Sequence, residues 1–232
     1  MNQDLFDPDL KKRYSATIDF CAGEEKRQYG CWPDACWNAA NAWVLLVGPS
    51  PGKADAGERR DQNTRVENPV CVGRQVGVVS FPGSPRRNRA WNRLAVAFAG
   101  GEEAAALTGI ANLDWVNSAR EKGIKDEQLI AGAPVVWKVI AVAKPRLVIA
   151  LTHRVYDILL QGQIKPYPDR SFEMPNPPPR KPIVFHIPGF QALSVLCMSP
   201  RHPSYGFGKN QIAEADAIRS WFIREVEAVR LS

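Results

Sequence analysis

No apolar run in the chain is long enough to cross a bilayer. A spanning helix needs about 20 predominantly apolar residues. The most apolar stretch, VVWKVIAVAKPRLVIAL, is broken by Lys138, Lys144, Pro145 and Arg146. The first residues, MNQDLFDPDLKKRYS, lack the apolar segment of a secretory signal. Cysteine is sparse, at Cys21, Cys31, Cys36, Cys71 and Cys197. An odd number of cysteines without a signal fits free thiols in a reducing compartment, so a cytoplasmic location is expected. Zinc-type C-x-x-C pairs are missing, and with them the usual nucleus of a structural zinc site. No internal repeat is visible. A chain of 232 residues buries about 70% of its unfolded surface on folding and needs no disulfide staples. Residues 1–232 are therefore expected to form a single domain, with 1–42 as an N-terminal extension packed on it.

Thirty basic residues face twenty-four acidic ones, a formal net charge of +6. This balance suits an acidic partner such as nucleic acid. The apolar run Val44–Val47 reads as a central parallel strand buried on both faces. Further strands are expected at Val76–Ser80, Gly109–Leu113, Arg146–Leu151, Ile183–Ile187 and Leu193–Met198. A short helical reading covers Asp34–Ala42. Helices are also expected at Asn88–Ala99, with Trp91, Leu94, Ala95 and Phe98 on one face, at Gln128–Ala143, at His153–Leu160 and at Lys209–Val229. Pro134 predicts a late start or a kink in the second of these. Residues 165–182, KPYPDRSFEMPNPPPRKP, read as a proline-rich loop. Strands alternating with helices imply an α/β fold, a three-layer α/β/α sandwich with a central, mostly parallel sheet. In such sheets ligands bind outside the carboxyl ends of the strands. Two strand ends stand out: the turn after Val47 and SPRHPSYGFG after Met198.

The first turn, Gly48-Pro49-Ser50-Pro51-Gly52, fails as a Walker phosphate loop. Its glycines are separated by three residues, and Ala54 stands where a magnesium-binding hydroxyl belongs. It matches the G-x-S-x-G serine elbow by letter, with His202 downstream in the order a hydrolase triad needs. However, the residue after the nucleophile is Pro51, which has no N–H to offer an oxyanion. Proline also draws Ser50 toward extended dihedrals. One missing oxyanion donor costs about 3–4 kcal/mol. A serine hydrolase using Ser50 is thus the remote reading.

Together with His202-Pro203-Ser204 after the last strand, the GPSPG turn resembles the uracil-DNA glycosylase superfamily. That family carries G-x-x-P-G or a close variant at the first position and H-P-S or N-P-S at the second. The segments SFPGSPRRNRAWNRLAVAFA, GIANLDW and KPRLVIALTHRVYDILL are similar in order and spacing over Trp43–Gly208. The resemblance implies a glycosylase that hydrolyses the N-glycosidic bond of uracil or another deaminated base flipped out of DNA. It assigns His202 to stabilise the departing base, while Ser50 in the first turn can hydrogen-bond water but cannot serve as a general base at neutral pH. Gly48, Pro49, Pro51, Gly52, Phe81 and Asn112 would surround the base, with Phe81 stacking on it and Asn112 reading its edge. Lys53, Arg86, Arg87, Arg201, Ser204 and Tyr205 would contact the DNA backbone or fill the vacated stack. For that last role Tyr205, Phe207 and Arg201 are all open. DNA is the implied partner, with no membrane association, and a monomer is expected.

The chain departs from the family at one point. Several branches place Asp, Asn or Glu in the first turn to orient or activate water, where this chain has Pro49 and Ser50. Asp55 and Glu58 lie just downstream and read as solvated residues of a following helix. Losing a positioned base costs roughly 10²–10⁴-fold in rate. The departure implies slow excision of uracil, a different base, or a non-catalytic member that binds nucleic acid or a nucleobase. Some branches also hold a four-cysteine iron–sulfur cluster. Here Cys31 and Cys36 precede the motif and only Cys71 follows in the middle region, so neither a cofactor nor a metal is expected. Cys21, Cys31, Cys36 and Cys71 would be the set involved if one were bound.

Overall fold

The computed structural model describes residues 28–29, 43–50, 85–101, 108–113, 116–117, 124–162, 164–168 and 171–229. The expected strand at Val76–Ser80 and the helix at Asp34–Ala42 lie outside them. In chain order the described elements begin with β1 (Gln28–Tyr29), β2 (Val44–Gly48), α1 (Pro85–Ala99), β3 (Thr108–Asn112) and β4 (Val116–Asn117). They continue with α2 (Asp126–Ala143), β5 (Leu147–Ala150), α3 (His153–Gly162), β6 (Ile183–His186) and β7 (Leu193–Met198). A 3-10 turn at Pro203–Tyr205, α4 (Lys209–Trp221) and a π turn at Phe222–Val226 complete the set. β1 and β4 pair as a small antiparallel ribbon.

The main sheet has the order β3-β2-β5-β7-β6. The first four strands are parallel, and β6 pairs antiparallel with β7 at the edge. Val44, Leu45, Leu46 and Val47 are all fully buried, as a strand covered on both faces requires. Alternation along the strand divides them between two cores. Leu45 and Val47 pack with Leu129, Val136 and Ile140 of α2 and Val155 and Leu159 of α3. Val44 and Leu46 pack with Leu94 and Phe98 of α1 and Ile218 and Trp221 of α4. Burying each such Val or Leu side chain is worth about 1.5–3 kcal/mol. Helices therefore cover each face of the sheet, compatible with a three-layer sandwich. The topology explains the division. From β2 the chain moves outward to β3, then reverses past β2 to β5. Right-handed crossovers that reverse direction must change face, and α1 and α2 lie on opposite faces.

Two helices start earlier than expected, and the last gives way to a π turn after Trp221. α1 starts at Pro85, a residue pre-organised for the first helical position. α2 starts at Asp126 and carries Pro134 in its interior. Its start is set where the Gln128 side chain accepts from the Lys125 N–H at 2.8 Å, the back-reaching half of a capping box. Pro134 is exposed, and so is Ile130, whose carbonyl has no N–H to accept from at position 134. The helix therefore starts ahead of Pro134 and does not show the late start that the proline suggests.

The proline-rich segment crosses the β6 edge of the sheet as a strap with fixed anchor points. Pro166 bridges Phe185, and the Tyr167 N–H donates to the Val184 carbonyl at 2.8 Å. Trp221 Nε1 of α4 donates to the Glu173 carbonyl at 3.1 Å. At the other end Arg180 donates to both Asp157 carboxylate oxygens, at 3.0 and 2.7 Å, and the Tyr156 hydroxyl donates to the Lys181 carbonyl at 2.6 Å. Prolines at this edge blunt it against further pairing.

Two predictions follow from these contacts. Gly132 of α2 lies against the Leu113 carbonyl, and a Cβ there would overlap that oxygen. Helix propensity favours Ala over Gly by about 1 kcal/mol, but overpacking against immobile backbone costs about 1–3 kcal/mol. Gly132→Ala is expected to lower the urea midpoint by a net cost of about 1 kcal/mol, whereas Gly101→Ala, which meets open space, shifts it by less than about 0.5 kcal/mol. The second prediction concerns Tyr156, whose hydroxyl is pushed up from 10.0 to about 12 by burial, with smaller contributions from Cys197 and Asp157. An acid with a raised folded-state value holds its proton longer folded than unfolded. Its contribution is complete below pH 10 and is lost as pH rises toward about 12. In Tyr156→Phe, denaturant midpoints measured across that window should fall less steeply than in the wild type.

Candidate functional site

The carboxyl ends of the parallel strands meet at one edge of the sheet. β2 runs out through Gly48, Pro49 and Ser50. β3 ends beside it at Asn112, paired in register with Gly48, and the Leu113 N–H donates to the Gly48 carbonyl at 3.0 Å. On the other side of β2, the Leu151 N–H donates to the Val47 carbonyl at 2.9 Å. One strand further, the Ser199 N–H donates to the Ala150 carbonyl at 2.8 Å. The order of exits across the edge is thus Asn112, Gly48–Ser50, Leu151–His153 and Ser199–His202. The chain reverses direction at β2, so the crevice between the β2 and β5 exits is the topological switch point, where open α/β sheets bind ligands.

Asn112 is 4% exposed, and its carboxamide leans over Gly48. A Cβ on Gly48 would stand 2.5 Å from Asn112 Oδ1 and 3.5 Å from Leu151 Cδ1. Gly48 is required here for close approach rather than for a special dihedral. Two of the six residues expected around the base, Gly48 and Asn112, are brought together by strand register.

The second motif is shaped by a short turn. Ser199 Oγ donates to the Arg201 carbonyl at 2.7 Å. The Tyr205 N–H donates to the His202 carbonyl at 3.0 Å and the Gly206 N–H to the Pro203 carbonyl at 2.9 Å. Gly206 has φ of 89°, a left-handed conformation suited to glycine. His202 is half-buried, and its ring meets that of Tyr205 edge-on at 6.1 Å between centroids. Tyr205 is 74% exposed, whereas Phe207 is 3% exposed and packs in the core against α1 and α4. Arg93 of α1 donates to the Phe207 carbonyl at 3.2 Å, tying this loop to the helix. Of the three residues open for the vacated stack, Phe207 is committed to the core, while Arg201 and Tyr205 face solvent.

Arg86 and Arg87 fall in the first turn of α1, which carries no acidic residue. Ser204 lies in the 3-10 turn. Pro51, Gly52, Lys53, Phe81, Asp55 and Glu58 lie outside the described residues, as do Cys21, Cys31, Cys36 and Cys71. Among the described residues no group of three or more His, Cys, Asp or Glu could hold a metal ion, and no helix is long and apolar enough to cross a membrane. Cys197 is fully buried, and burial pushes its thiol far up, away from thiolate chemistry. A groove of about 520 Å³ lies under the proline-rich strap, lined by Tyr167, Phe172, Met174 and Lys181 among others. It runs along the β6 edge and includes none of Gly48, Asn112 or His202.

Sequence reasoning missed Thr152 and His153. They lie in the segment KPRLVIALTHRVYDILL, which assigns them no role, and only the strand order places them between the two motifs. The Thr152 hydroxyl accepts from the Val155 N–H at 3.4 Å, capping α3.

Gly48→Ala is expected to displace the Asn112 carboxamide at a cost of about 1–3 kcal/mol, as overpacking does. In an Asn112→Ala background the same substitution should cost much less. A double-mutant cycle by chemical denaturation checks this coupling. The sequence matches no protein-family model, and no curated protein matches it.

Proposed function

We propose that this chain is a divergent DNA glycosylase of the uracil-DNA glycosylase type, acting hydrolytically on a deaminated base flipped out of DNA. The observation that carries the reading is the convergence of Gly48, Asn112 and the His202–Tyr205 turn on one sheet edge, with the Asn112 carboxamide packed over Gly48. Each group then has a role. Asn112 offers a donor and an acceptor to the edge of the base. His202 donates toward the oxygen on which negative charge develops as the base departs. Ser204 and Arg201 hold phosphates, which fix register without reading sequence. Tyr205, the exposed aromatic of the turn, stacks in the gap left by the base. The cationic first turn of α1 supports a phosphate partner. Arginines at a helix N-terminus oppose the macrodipole, and an incoming phosphate turns that arrangement favourable.

The second reading is a non-catalytic member that binds nucleic acid or a nucleobase. It is favoured by Pro49 and Ser50, which put no carboxylate in the first turn. The Ser50 hydrolase remains the remote reading, opposed by Pro51.

Single-turnover cleavage of labelled oligonucleotides separates them. With uracil, hypoxanthine or xanthine in single and double strands, the wild type should release one base. His202→Ala should slow release by about 10²–10³-fold, the usual cost of one charge-stabilising donor. Asn112→Ala should lose release of the preferred base, and Ser50→Ala should retain it. Salt-sensitive DNA binding with no release on any substrate would replace the glycosylase with the binding module.

A further inference from the structure

We infer that His153 supplies the proton acceptor that the first turn lacks, activating the water that attacks the sugar. The inference rests on the glycosylase reading. Its starting point is strand order: β5 lies between β2 and β7. The backbone bonds from Leu151 to Val47 and from Ser199 to Ala150 keep the three exits level. The two residues that leave β5, Thr152 and His153, therefore emerge between Pro49–Ser50 on one side and Arg201–His202 on the other. This is also the switch-point crevice.

His153 is exposed and is the first residue of α3. Its backbone is held from two sides. Thr152 caps the helix through its hydroxyl, and its carbonyl accepts from the Tyr156 N–H at 3.1 Å. Arg154 donates to Asp126 Oδ1 through Nε at 3.0 Å and to the Ile124 carbonyl through Nη2 at 2.8 Å, locking the start of α3 to the start of α2. Asp126, the first residue of α2, is thereby held by Arg154. A backbone fixed this way carries the imidazole on a rigid element. Imidazole is also the side chain most often used to take a proton at neutral pH.

The step balances as follows. The bond from C1′ to the base nitrogen breaks, and its electron pair leaves on the base, whose anion His202 stabilises. The water oxygen bonds to C1′, and one water proton passes to the free ring nitrogen of His153 and then to solvent. The departing base takes a proton from solvent, leaving an abasic hemiacetal.

The test uses the full chain and oligonucleotides carrying uracil, hypoxanthine or xanthine, with single-turnover release and binding measured side by side. His153→Ala and His153→Gln should both release base about 10²–10⁴-fold more slowly than the wild type, with DNA affinity unchanged. His153→Gln keeps a polar side chain at the helix start and controls for folding. Added azide, a nucleophile with no proton to lose, should restore base release in His153→Ala. Wild-type rates in both variants would sink the inference and leave the glycosylase reading standing. Loss of affinity in step with rate, with no azide rescue, would make His153 a DNA contact instead. Absence of release by the wild type on every substrate would remove both.

Discussion

The candidate site depends on the backbone ladder joining β2, β5 and β7. The Leu151–Val47 and Ser199–Ala150 hydrogen bonds set where three strands stop relative to one another. Parallel pairing allows this only because both faces of the sheet are covered, since its strands are apolar on both sides. The two cores, one under α2 and α3 and the other under α1 and α4, therefore carry the site as well as the fold. A one-residue slip of β2 would exchange Leu45 and Val47 with Val44 and Leu46 between the cores. It would also separate Gly48 from Asn112.

Close approach is the second constraint. Gly48 lets a buried amide lie across the end of β2, and Gly132 lets α2 lie on the Leu113 carbonyl just beyond β3. Both glycines serve the same corner of the molecule. Asn112 is polar and 4% exposed, and a buried amide is costly unless its hydrogen-bonding groups are satisfied. A tightly packed wall around such a group holds it in one orientation.

Exposure then separates residues that look equivalent in sequence. Tyr205 and Phe207 are two positions apart in one loop, yet one faces solvent and the other is core. The 3-10 turn between Pro203 and Tyr205 and the left-handed Gly206 reverse the chain between them. The proline-rich strap is likewise placed by its anchors. Trp221 holds one end and Tyr156 with Arg180 the other, so the segment closes the β6 edge.

The sequence by itself determined the helices and the five strands of the main sheet with their approximate limits, but not the β1–β4 ribbon. Continuous apolar runs and helical stripes are local signals of burial on two faces or one. It also marked the two motif segments, because proline fixes φ and glycine admits dihedrals that other residues avoid. It did not place the start of α2, which lies eight residues before Pro134 where the Gln128 side chain meets the Lys125 N–H. Only the tertiary structure decided that β6 runs antiparallel, that Asn112 lies on Gly48, and that Phe207 is unavailable. It alone brought Thr152 and His153 between the two motifs. Strand order is a long-range choice made by crossover direction and core packing, and no local pattern around His153 encodes which strands will flank it.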